Sequence, residues 1–175
     1  MTEAQLSNAM DAYGSTVYRL ALTRMQNIAD AEDVYQEVFL RLWKQAAEDW
    51  DGDRAKAWLI RTTLNRCADL HRFRLRRPVL SFAEIPDLAQ PEDESRELWE
   101  AVSRLPEKAR TAVHLYYAEG YSAEEISQLM HIPAATVRTR LHRARKQLKE
   151  LLGGIDDETC VLRSDGTNFG PQRAE

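Results

Sequence analysis

Apolar positions recur at helical spacing along most of the chain, and no segment sustains the two-residue alternation of a strand. Leu6, Met10, Tyr13, Val17, Leu20 and Met25 mark the core face of a first helix, over about 4–26. A broader arc of Ala31, Val34, Tyr35, Val38, Phe39, Leu42 and Trp43 marks a second, over about 30–47, with Asp30 as its N-cap and Asp33 three places on. Asp51-Gly52-Asp53 provides a turn and cap ahead of a third helix, over about 54–75, whose Ala57, Ile60, Leu64, Cys67 and His71 share one face. Further helices are expected over about 93–103, 106–119 (with Pro106 at its start), 122–130 and 134–152.

The pattern predicts an all-α protein of two small helical domains. Between them, Pro78, Pro86 and Pro91 stand among acidic residues and short apolar pairs, which reads as a linker over 78–92. The domains then span 1–77 and 93–152, and the polar, glycine-containing tail 153–175 has no period and is expected to be disordered or loosely docked.

The strongest local signal runs from Ser122 to Arg145. Ser122 followed three places later by Glu125 is a capping box, and Ile126, Leu129 and Met130 give the helix it starts one buried face. Pro133 suits the start of the next helix, whose Val137, Leu141, Ala144, Leu148 and Leu151 form an apolar stripe. Arg138, Arg140, Arg143, Arg145, Lys146 and Lys149 fill the remaining faces, with no acidic residue before Glu150. A solvated helix mixes signs on its exposed face, whereas charge of one sign repels itself unless an anion shares it. Two helices, a tight turn and that charge spell a helix-turn-helix, a motif that enters the major groove of DNA.

The formal net charge of −4 argues against a nucleic-acid partner until its distribution is examined. Between Arg54 and Pro78, eight basic residues face Asp69 alone, while Glu84 to Glu107 is strongly acidic. Two basic stretches therefore flank an acidic connector, and local patches govern phosphate binding. In the third helix, Arg61, Asn65 and Arg66 are followed by Arg72, Arg74, Arg76 and Arg77, a run able to follow a phosphate backbone. The alternative, a basic helix end complementing the macrodipole, requires fewer arginines. Across from the apolar arc of the second helix lie Asp33, Gln36, Glu37, Leu40 and Lys44, a face that is either solvated or a partner surface.

Cys67 and Cys160 lack metal-ligand spacing and suit a reducing compartment. Neither a signal peptide nor a membrane-spanning stretch is recognisable, so a cytoplasmic protein is expected, without direct membrane insertion. No phosphate-cradling glycine loop, metal cluster or nucleophile elbow is present, and neither cofactor, metal nor enzymatic activity is expected.

These parts resemble a known family. Asp30-Ala-Glu-Asp-Val-Tyr-Gln-Glu-Val-Phe-Leu-Arg-Leu-Trp is similar to the core-polymerase-binding region of bacterial sigma factors. Trp58-Leu-Ile-Arg-Thr-Thr-Leu-Asn-Arg-Cys-Ala-Asp resembles their promoter-melting region. Leu105-Pro-Glu-Lys-Ala-Arg through the helix-turn-helix resembles their C-terminal promoter-binding domain. The three occur in the family's order over roughly 5–152, and the short chain resembles the extracytoplasmic-function (ECF) group. The resemblance implies that 1–77 is sigma region 2, a three- to four-helix bundle, and that 93–152 is sigma region 4. It implies that Asp33, Gln36, Glu37 and Leu40 dock on core RNA polymerase, and that the loop around Ala47–Asp53 captures an extruded base of the −10 element, with Trp50 packing. Arg61, Asn65, Arg66 and Arg72 would lie near −10 DNA, and Thr136, Arg138, Thr139, Arg140 and Arg143 would read the −35 element. An anti-sigma factor is the further partner it implies. The chain departs from the family pattern at His131 and Ala135, where glycine is common; His131 must then adopt positive φ at some cost.

Two other functions remain open on the residues alone. A stand-alone helix-turn-helix regulator would have to be a dimer to match a two-fold operator, and would leave the Asp33–Leu40 face unused. A helical enzyme with Asp30, Glu32 and Asp33 as metal carboxylates is disfavoured because adjacent positions point apart around a helix and no matching Glu-x-x-His follows.

Overall fold

A computed structural model describes residues 2–45, 52–76 and 93–153; the loop ahead of the third helix, the 78–92 linker and nearly all of the tail lie outside the described residues. Among the described residues seven α-helices follow in order: α1 (Glu3–Met25), α2 (Ile28–Lys44), α3 (Gly52–Arg76), α4 (Asp93–Ser103), α5 (Glu107–Val113), α6 (Ala123–Met130) and α7 (Ala134–Leu151), with a π-helical turn over His114–Ala118 after α5. There is no strand among the described residues. The chain divides into two compact units, Met1–Leu88 and Ala89–Glu175.

In the first unit α1, α2 and α3 pack around one core. Thr2 opens α1 with a capping box: its hydroxyl accepts from the Gln5 amide, and Gln5 Oε1 accepts from the Thr2 amide at 2.8 Å. Val17, Leu20 and Ala21 of α1, Val34, Val38 and Leu42 of α2, and Leu59, Ile60 and Cys67 of α3 are almost wholly buried. Each large apolar side chain removed from water in this way contributes roughly 1.5–3 kcal/mol before the entropy of ordering it is counted. Gly14 lets α1 and α2 approach, since a Cβ there would stand 3.0 Å from the Tyr35 hydroxyl. The Tyr35 ring also meets Phe39, with centroids 4.8 Å apart. Burial, reinforced by the nearby Asp11 charge, pushes the Tyr35 hydroxyl above the usual phenol range.

Two expectations for α2 are corrected. The cap is Asn27, whose side chain accepts from the Asp30 amide at 2.9 Å, so the helix starts two residues earlier than the sequence suggests. Asp30 lies in the first turn, buried, and its carboxylate is hydrogen-bonded by the Arg74 guanidinium of α3. The apolar arc is also narrower than predicted, for Trp43 is 40% exposed. Leu42, in the same last turn, remains buried, so position 43 lies at the edge of the packed face.

The second unit packs α5 and α6 against α7. Ala112, Leu115, Ile126, Val137, Leu141 and Ala144 form its centre. The predicted continuous helix over 106–119 is interrupted by the π turn, in which the Glu119 amide reaches back to the His114 carbonyl at 3.2 Å. The widened turn carries His114 and Leu115, adjacent in sequence, both into the interior. Arg110 is buried too, and its Nη1 donates to the carbonyls of Ser103 and Leu105 at 3.0 and 2.8 Å, satisfying the backbone groups that the end of α4 leaves open. The Ser122–Glu125 capping box forms as expected.

His131 ends α6 in the left-handed region, at φ 52° and ψ 47°. A Cβ is unfavourable there, by roughly 1–2 kcal/mol, and the His131 side chain is exposed and so offers little in return. His131→Gly is therefore expected to stabilise the second unit by about 0.5–1 kcal/mol, read as a rise of several degrees in melting temperature by circular dichroism. A fall would show that the imidazole makes a contact worth more than the backbone strain.

Candidate functional site

The arginine-rich α7 presents two distinct faces. Ala135, Thr136, Thr139, Arg140 and Arg143 line one shallow depression open to solvent. At about 100° per residue these positions fall on one side of the helix, with the apolar stripe of Val137, Leu141 and Ala144 turned into the unit. The Thr139 hydroxyl donates to the Ala135 carbonyl at 2.9 Å, which leaves its lone pairs facing outward as acceptors. Arg138 does not join this group. It reaches back to α6, where its Nη1 bonds Glu124 Oε1 at 2.6 Å, both side chains being well exposed. The structure therefore gathers four of the five recognition residues expected from the sequence and gives the fifth an acidic neighbour fourteen positions away.

On α3, Arg61, Asn65 and Arg72 are exposed and fall within about 40° of one another around the axis. Arg72 also bonds Asp69 at 2.5 Å on that side. Arg66 is displaced from the strip by roughly a quarter-turn; it is half-buried, and its Nε is shielded from water with no hydrogen-bond acceptor. Arg74, read from sequence as part of a phosphate-following run, is committed instead to Asp30. Of the run's other members, Arg76 and Arg77 have side chains outside the described residues, as do Trp50 and most of the expected base-capturing loop.

On α2, Asp33, Gln36 and Leu40 are exposed and Glu37 is half-buried. Leu40 is 47% exposed, and Trp43 lies one turn further along beside it, so acidic and amide groups border an open apolar patch. Glu37 Oε1 accepts from Arg41 Nε at 2.9 Å. That hydrogen bond holds the Glu37 carboxyl below the usual range; partial burial opposes the shift, and the charges of Arg41, Arg66 and Lys44 assist it. Arg41 went unnoticed in the sequence, although the i, i+4 spacing from Glu37 to Arg41 signals the pair. Asp30, Glu32 and Asp33 do not converge as ligands would: Asp30 is turned inward against Arg74 while the other two are exposed. Among the described residues no helix is long and apolar enough to cross a membrane.

Comparison with known proteins follows the same partition. Residues 9–77 match Sigma-70 region 2, and residues 95–148 match Sigma-70, region 4. The ECF RNA polymerase sigma factor SigE of Mycolicibacterium smegmatis is 34% identical over 159 residues, covering 85% of this chain and 62% of its own length. ECF RNA polymerase sigma factor SigM of Bacillus subtilis is 32% identical over 155 residues, covering 83% of this chain and 94% of its own. Among solved structures, the sigma factor RpoE in complex with the anti-sigma factor NepR from Bartonella quintana shares the fold, with a TM-score of 0.73 at 24% identity over 87% of this chain and 99% of that one.

Proposed function

This chain belongs to the sigma-70 family, and on that premise we propose how its surfaces divide the work of starting transcription. It is an RNA polymerase sigma factor of the ECF type, which binds core polymerase and directs initiation at specific promoters. The observation that carries this reading is the presence of both regions, in order, on one short chain with separately exposed acidic and basic faces. A stand-alone regulator would need neither region 2 nor an open Asp33–Leu40 face.

Residues 1–77 serve as region 2, 93–152 as region 4, and 78–92 as the connector between them, working in the cytoplasm. Asp33, Gln36, Glu37 and Leu40 dock on core polymerase, where Trp43 enlarges the apolar part of the patch. Desolvating Leu40 and Trp43 contributes affinity, and the polar groups around them set orientation. Arg61, Asn65 and Arg72 face −10 DNA, with Arg66 at the edge of that surface. Strand separation there costs a few kcal/mol per unstacked base, which contacts to the extruded bases and the backbone must offset.

On α7, Thr136 and Thr139 lie where side chains reach base edges of the −35 element, and Arg140 and Arg143 lie where they meet phosphate or guanine. Arg138 is expected at the same element, where DNA would compete with Glu124 for its guanidinium, since the exposed pair contributes little. An anti-sigma factor is the expected inhibitor, as one is bound to the Bartonella quintana relative. It would act by covering the polymerase and DNA faces described above.

The test is co-elution of the chain with sigma-free core RNA polymerase on size exclusion, followed by promoter binding of the assembled holoenzyme. No complex, together with a chain that dimerises and binds duplex DNA alone, would replace this reading with the stand-alone regulator. Within the holoenzyme, Arg140→Ala is expected to leave assembly intact and to weaken promoter binding on the order of tenfold, with the log–log salt slope shallower by about one unit if the contact is to phosphate. An unchanged slope with relaxed preference at one base position would assign Arg140 to base readout instead.

A further inference from the structure

Arg138 and Glu124 bond at 2.6 Å across the turn of the motif, from α7 back to the first turn of α6. Both side chains are well exposed, at 60% and 64%. An ion pair so open to water adds little stability, so the fold has little need of it. Nor does α6 need Glu124 in order to start. Its cap is the Ser122–Glu125 box, in which Glu125 Oε2 accepts from the Ser122 amide at 2.8 Å. Glu124 is thus a carboxylate that structural demands leave unexplained. It is set against a helix with no acidic residue of its own before Glu150.

Its position matters because of what Arg138 could otherwise do. α7 is the helix offered to the major groove, and the helix ahead of it in such a motif crosses the phosphate backbone. Arg138 lies about 100° around the axis from Thr139, on the flank that faces α6, and therefore beside that crossing. A guanidinium there has two anions to choose between, the Glu124 carboxylate and a DNA phosphate. DNA must undo the pair before it gains the arginine. That penalty cannot exceed the worth of the pair, which for exposed side chains is at most about fivefold in an equilibrium. Arg140 and Arg143 differ in this respect: the depression they line is completed by Ala135, Thr136 and Thr139, none of them charged.

We propose that Glu124 is an affinity-limiting residue of the −35 surface: it competes with the DNA backbone for Arg138 and so holds promoter binding below what α7 alone would give. The inference rests on the −35 reading of α7 and adds to it a residue of α6 that makes no DNA contact itself. A carboxylate in this place acts through the cation it occupies, which fixes how its removal must show. Affinity rises, the rise depends on Arg138, and it fades as salt screens the charges.

The test uses holoenzyme assembled from the full chain and core RNA polymerase. The probe is a DNA duplex enriched from a randomised pool by the wild-type holoenzyme. Glu124→Gln, which keeps the shape and removes the charge, is expected to tighten binding about three- to fivefold at low salt, with a log–log salt slope steeper by about one unit. Core association and melting temperature should stay as in the wild type. Added to Arg138→Ala, the same substitution should gain nothing. Unchanged or weaker binding by Glu124→Gln overturns the competitor, and weaker binding would mark the pair as a strut that sets the angle of α7. A gain of the same size on Arg138→Ala also overturns it, because the carboxylate would then repel DNA directly. If Arg140→Ala and Arg143→Ala leave binding of the duplex untouched, the −35 reading of α7 has failed and this inference falls with it. If those two variants lose binding while Glu124→Gln gains none, only the competitor is refuted.

Discussion

Glu37→Lys is expected to lower the affinity of this sigma factor for core RNA polymerase by tenfold or more while leaving the chain folded. In the wild type the Glu37 carboxylate accepts from Arg41 Nε and is flanked by the charges of Lys44 and Arg66. A lysine there removes the only acid within that group and adds a fourth cation to three, leaving Asp33 as the remaining acid of the α2 face. Stability suffers little, because an exposed i, i+4 pair contributes only about 0.3–0.5 kcal/mol and the new cation can extend into water. Binding suffers more, since like charge set against a complementary surface costs both association rate and residence. Co-elution with core polymerase reads the affinity, and circular dichroism melting reads the fold. Loss of both together would show that Glu37 is structural.

The same residue carries a pH prediction with a definite sign. The Glu37 carboxyl is held below its ordinary range, so whatever its ionised form contributes is complete above the unfolded value and is lost as pH falls through the lowered folded one. Core association that depends on the Glu37 charge is therefore expected to be flat across neutral pH. Glu37→Gln separates the charge from the hydrogen bond, since the amide oxygen still accepts from Arg41.

Helix existence and type were legible in the sequence because the apolar spacing is strong and the punctuation is good. Ser122 with Glu125, Pro133, and His131 at the left-handed turn each name a boundary, and each lies where the sequence puts it. What the sequence could not display are pairings across helices. Asp30 has the chemistry of an N-cap, and from spacing alone nothing distinguishes it from Asn27; only the approach of α3, forty-four positions on, explains why it is buried. Arg138 and Arg140 are equally basic and two residues apart, yet one faces Glu124 and the other the open depression. The π turn at His114–Ala118 likewise has no signature in apolar periodicity, because it alters the period itself. Candidate site residues were thus identified by type and helix, and their partners on neighbouring helices were not.

That division gives the largest expected effect on stability, at Arg74. Sequence places it in an arginine run suited to phosphate; the structure joins it to Asp30, whose side chain is 10% exposed against 33% for Arg74. The unequal burial decides which partner is the more costly to remove. Without Asp30, the Arg74 guanidinium can turn outward and be hydrated. Without Arg74, the Asp30 carboxylate stays in a poorly solvated position, with Oδ2 already lacking a hydrogen bond, and only the N-terminal dipole of α2 eases its charge. Arg74→Ala is therefore expected to cost the first unit about 2 kcal/mol, somewhat below the figure for a fully buried pair because Arg74 is partly exposed. That corresponds to a fall of roughly 10 °C in melting temperature. Asp30→Ala should cost less, and the double variant should be less destabilised than the sum of the two. Assayed well below its melting point, Arg74→Ala holoenzyme should bind promoter DNA with an unchanged salt slope, whereas Arg72→Ala should melt like wild type and lose about one unit of slope. The reverse pattern, a stable Arg74→Ala protein with a shallower slope, would return Arg74 to the phosphate backbone and make its bond to Asp30 incidental.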